Sequence, residues 1–172
     1  MKKYIIAVLS SLLILLISCE EEDLSMESVF TANKVVEVTD VFTINSKENK
    51  GFSVDGLKIA DFPKSDADFI IIPQTSMTGD VMSPFLSNPN LEKRFVLSNE
   101  FDNSMSAMSY FDAFTVNTEE LVLQQFALEL KPNQVWIVKT HSNTFCKILI
   151  LDTQVDKKTS FVEIKFKAQK LI

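Results

Sequence analysis

Three side chains stand out because the chain has so few of their kind: its two cysteines, Cys19 and Cys146, and its one histidine, His141. A Ser-His-Asp arrangement would have to use His141, yet no Gly-x-Ser-x-Gly elbow or comparable setting surrounds any serine. A zinc site built on His and Cys lacks ligands in sufficient number. The three glycines form neither a phosphate loop nor a dinucleotide fingerprint. Asp66 and Asp68 could give carboxylates to Ca²⁺, but the remaining loop ligands are missing, so a solvated turn is expected there. Paired carboxylates for glycoside hydrolysis leave no local signature, since any two acids can meet in space. The expectation is a chain that binds and does not catalyse.

Cys19 has a specific setting. Lys2 and Lys3 precede the apolar stretch Tyr4 to Ile17, and the small residue Ser18 stands before the cysteine. The apolar run is shorter than the roughly 18 to 20 residues needed to cross a bilayer core, which favours an export signal over a permanent span. Leu16-Ile17-Ser18-Cys19 looks like a lipobox, so residues 1–18 are expected to be removed and Cys19 lipidated. Two or three acyl chains would make a firm membrane anchor, because each buried methylene contributes about 0.8 kcal/mol. Residues 19–33 then read as a tether. Glu20, Glu21, Glu22 and Asp23 repel one another and stay solvated. This acidic block resembles the signal that sends lipoproteins of Bacteroidota to the cell surface. An outer-membrane, outward-facing location is expected, with a periplasm-facing anchor as the alternative.

Removal of residues 1–18 leaves 154 residues and moves the formal charge from −6 to −8. That length supports one domain with a real core, here residues 34–172. Phosphate-backbone binding needs clustered Lys and Arg, so nucleic acid is excluded as a partner. Lipidation of Cys19 leaves Cys146 without a disulfide partner. Its place in Phe145-Cys146-Lys147-Ile148-Leu149-Ile150 predicts a small buried hydrophobe.

The elements that would position these residues are mostly strands. Val35–Thr39 and Val41–Ile44 are β-branched and aromatic without helical spacing. Residues 47–51 read as a turn, followed by short extended pieces at 52–54 and 57–59. Ala67–Pro73 is an apolar run expected to be buried on both faces. Thr75–Asn90, with Gly79, Pro84 and Pro89, reads as a long excursion punctuated by turns, rich in apolar side chains for a loop. A strand resumes at Arg94–Leu97. Residues 99–112 are ambiguous, with Met105, Met108 and Phe111 at helical spacing. Thr118–Leu130 could begin as a helix capped by Asn117 or Thr118, a strand being the competing reading for its second half. Gln134–Thr140 and Thr144–Asp152 flank His141-Ser142-Asn143, a hairpin turn. A further turn at 156–160 leads to Phe161–Gln169, whose strict alternation marks a strand with one wet face. The fold class is all-β, predominantly antiparallel, with one or two short helices.

The segment Val135 to Gln169 resembles the closing strands of HmuY-like proteins, haem-binding lipoproteins of Bacteroidota. A strand ends in Thr140. After a short turn the next strand carries Phe145, Cys146, Lys147 and Ile148, and the last strand alternates through Ile164 and Phe166 to Gln169. The strand at Ala67–Ile72 and the excursion after it match the family's central strand and ligand-side loops more loosely. Ala67-Asp68-Phe69 stands where the family has Trp-Asp-(Ile/Leu). The resemblance implies an all-β body holding haem between loops through two axial His or Met side chains, for delivery to an outer-membrane haem transporter. The candidates are then Met77 and Met82 in the excursion, Met105 and Met108 in the ambiguous segment, and His141 at a hairpin tip. A thioether is soft and neutral, which suits haem iron, although Met is also a common filler of apolar cores. The alternative is a non-catalytic surface lipoprotein, an adhesin or accessory subunit, that binds protein or glycan through the same apolar excursion.

Overall fold

Ten strands and two short helical pieces make up the described residues. A computed structural model describes residues 41–62 and 66–171, all within one compact unit spanning Ala32–Ile172. The expected export signal, the expected lipidation at Cys19, the expected acidic tether and the Val35–Thr39 strand expectation lie outside the described residues.

The strands are β1 (Val41–Asn45), β2 (Lys50–Ser53), β3 (Lys58–Asp61), β4 (Phe69–Thr75), β5 (Val81–Ser87), β6 (Phe95–Glu100), β7 (Phe126–Ala127), β8 (Gln134–Lys139), β9 (Phe145–Asp156) and β10 (Phe161–Leu171). Helix α1 covers Ser104–Ala113, and a single 3-10 turn covers Thr118–Glu120. The strands form two antiparallel sheets of five. The first has the order β1-β10-β9-β8-β6 and the second β3-β2-β4-β5-β7. The protein is therefore all-β with few helices.

Alternation decides what each sheet buries. In β10, Val162, Ile164, Phe166 and Ala168 enter the core, while the side chains between them point away. Ile148 and Ile150 of β9, Trp136 and Val138 of β8, Phe52 of β2, Phe69 and Ile71 of β4 and Leu86 of β5 meet them. One core thus lies between the two sheets. At its centre Phe52 packs edge-on against Phe42 at 4.7 Å and against Phe166 at 5.1 Å between ring centroids, the geometry that aromatic quadrupoles favour. Gly51 lets β2 come this close to the chain before β4. A Cβ there would sit 2.7 Å from both the Ala67 Cβ and the Phe69 carbonyl oxygen.

Three expectations need correction. The excursion at Thr75–Asn90 contains a full strand, β5. Its two prolines lie where they do no harm: Pro89 is past the strand, and Pro84 keeps its carbonyl to accept from Leu130 N–H at 3.2 Å. The turns that remain are Ser76–Asp80, with Gly79 at φ +86°, and Asn88–Leu91, where Leu91 N–H donates to Asn88 O at 3.2 Å. β4 is buried on one face only; Phe69 and Ile71 enter the core, whereas Ile70 and Ile72 are half-buried on the outer face. The proposed helix at Thr118–Leu130 shrinks to the one 3-10 turn, started by Asn117 accepting from Glu119 N–H. Beyond it Gln124 bridges to Phe95, and Phe126–Ala127 pairs with Leu86 and Ser87 of β5. For the second half the competing strand reading is the one that holds, because pairing with β5 overrides local helix preference there.

Candidate functional site

The two ends of the sandwich differ in chemistry. One end is built around Asp68, just before β4. Its carboxylate is fully buried and accepts from Val54 N–H (2.8 Å), from His141 N–H (2.8 Å) and from the His141 ring at Nδ1 (2.8 Å). The guanidinium of Arg94, itself buried and held by Glu92, lies 3.9 Å away. The solvated turn expected at Asp66 and Asp68 is therefore replaced, at Asp68, by an interior anchor joining β4 to the β2–β3 turn and the β8–β9 hairpin. A buried carboxylate persists only with such donors around it.

His141 occupies the predicted hairpin tip, where Asn143 takes φ +62° and Thr140 N–H donates to Thr144 O. With Nδ1 fixed on Asp68, its Nε2 faces a second carboxylate, Asp55 Oδ2, at 3.9 Å. The Ser142 hydroxyl donates to Asp55 (3.0 Å) rather than approaching the imidazole. Lys170 Nζ holds the other Asp55 oxygen at 2.8 Å. This ammonium, helped by Ser142, keeps the Asp55 carboxyl below its ordinary range against partial desolvation. The arrangement reads as Asp-His-Asp, without a nucleophile on the ring. Among the described residues, no group of three or more His, Cys, Asp or Glu side chains could hold a metal ion.

The outer face of the first sheet is covered by α1. Asn103 caps the helix, its side chain accepting from Ser106 N–H at 2.9 Å, and Ala107 and Phe111 pack on Val135 and Leu149. Lys147 of β9 is fully buried beneath the helix end. Its Nζ donates to Phe114 O at 2.9 Å and stands 5.0 Å from the Phe111 ring centre, and burial pushes its pKa down against the pull of Asp112. Sequence reading placed Lys147 in a strand but missed this role. Its signal was a lone cation inside the apolar run 145–151. The Asp55 and Arg94 contacts were also missed, and nothing local in the sequence marks them.

The methionines separate clearly. Met77 lies in the β4–β5 turn and is fully exposed (108 %). Met82 is the extra residue at a β5 bulge (54 % exposed), and Met105 sits in the first turn of α1 (79 % exposed). Met108, one turn on, is half-buried with its sulfur accepting from Lys167 Nζ at 3.3 Å. β4 runs seven residues from Asp68 to the Met77 turn, about 20 Å, so His141 cannot share an iron with Met77 or Met82. Met77 and Met82 therefore lie at the far end of the β4–β5 hairpin from His141, and Met105 lies at the start of the helix over the outer face of the first sheet.

Cys146 lies on β9 within the core. Burial, and secondarily the Asp68 charge, push its thiol pKa upward. No described helix is long and apolar enough to cross a membrane. No protein-family model, curated protein or solved structure matches the chain.

Proposed function

We propose that this chain is a lipid-anchored, non-catalytic binding protein of the outer membrane, and that it holds haem through solvent-facing thioethers among Met77, Met82 and Met105. The observation behind this reading is that Met77, Met82 and Met105 present their thioethers to solvent, while Met108 is engaged by Lys167. Such side chains gain little for the fold by standing in water, and their soft, neutral sulfurs suit haem iron. When bound, haem would supply the redox-active iron. The chain supplies axial donors on the Ser76–Asp80 turn, the β5 bulge and the first turn of α1, two of them on regular elements that fix their direction. Delivery to an outer-membrane haem transporter would follow from the surface anchor and the resemblance at Val135–Gln169.

Titration of the full chain in detergent with haemin, oxidised and reduced, tests this. A saturable Soret shift is expected in at least one state. Met77→Ala, Met82→Ala and Met105→Ala separate the ligands: two of the three should weaken binding about tenfold or more, equivalent to about 1.4 kcal/mol. Met108→Ala and His141→Ala should leave it nearly unchanged. Absence of saturable binding in both states would sink the haem reading.

A second reading is supported by the outer face of the second sheet. Ile70, Ile72, Phe85 and Phe126 are half-buried there, with Phe85 and Phe126 in edge-on contact at 5.6 Å and Gln74 and Ser83 beside them. These outward positions carry no charge, which suits docking of a protein partner by an adhesin or accessory subunit. On that reading haemin gives no shift, and Phe85→Glu abolishes partner capture.

A further inference from the structure

We draw no further inference here: the strongest candidate, the half-exposed Nε2 of His141 facing Asp55 at the Asp68 end of the sandwich, offers a cation only two protein donors among the described residues and already has Lys170 on the same carboxylate.

Discussion

Asp68 gathers two backbone N–H groups and an imidazole nitrogen where water does not reach. Asp68→Ala would strand these donors, and each buried unsatisfied group costs about 1–3 kcal/mol. A loss of about 3 kcal/mol or more is expected in urea unfolding, with Asp68→Asn losing less because it keeps one acceptor. A change within about 0.5 kcal/mol, as at an ordinary surface position, would show that Asp68 anchors nothing. Lys147 gives a prediction in pH. Its folded pKa lies below the ordinary 10.5, so between the two values the unfolded chain binds more protons. Stability linked to this residue therefore rises with pH through that window. The difference in unfolding free energy between wild type and Lys147→Met should shift in favour of wild type as pH climbs toward 10.5; a pH-independent difference would refute the linkage. Single residues were the least legible scale. That Asp68 lies in the interior depends on Val54 and His141, and the histidine is 73 positions away. No reading of residues 66–68 alone could supply such donors.

Among elements, legibility followed periodicity. β10 was readable because one face is wet and the other enters the core, so polarity alternates at every step. β8 and β9 were readable from continuous apolar runs bounded by a turn. β5 was not, because Pro84 and Gly79 are turn formers by local chemistry, and only pairing with β4 makes the segment a strand. Residues 99–112 read as ambiguous, and of the helically spaced Met105, Met108 and Phe111 only Phe111 is buried in α1; Met108 is half-buried and Met105 faces solvent. With so narrow a buried stripe, α1 depends on its cap. The Asn103 side chain satisfies Ser106 N–H, and its carbonyl accepts from Ala107 N–H at 3.2 Å. Asn103→Ala should cost about 1 kcal/mol. Amide exchange would reveal where: the Ser106 and Ala107 amides should exchange faster while those of β8 and β9 keep their protection. Equal acceleration in the strands would mean that α1 and the sheet open as one unit.

At the scale of the molecule, the division into two sheets comes from contacts far apart in sequence. β1 pairs with β10 and β6 with β8, so the first sheet joins both ends of the described chain. Composition predicted strands but could not assign them to layers. The consequence is a core that closes only when both sheets are in place, and Cys146 reports on that closure. It lies on β9, flanked by β10 and β8, fully buried, with its thiol shifted away from the reactive thiolate. In a Cys19→Ser background it is the only thiol, since the chain has two cysteines. Iodoacetamide should then label the protein only through global opening, at a rate whose free energy matches that of urea unfolding. Asp68→Ala supplies an internal check. If it removes about 3 kcal/mol from the whole sandwich, labelling should accelerate about a hundredfold, because each 1.4 kcal/mol is tenfold. Fast labelling of the wild type, or a labelling rate indifferent to Asp68→Ala, would show that β9 opens locally and that the two sheets do not share one cooperative core.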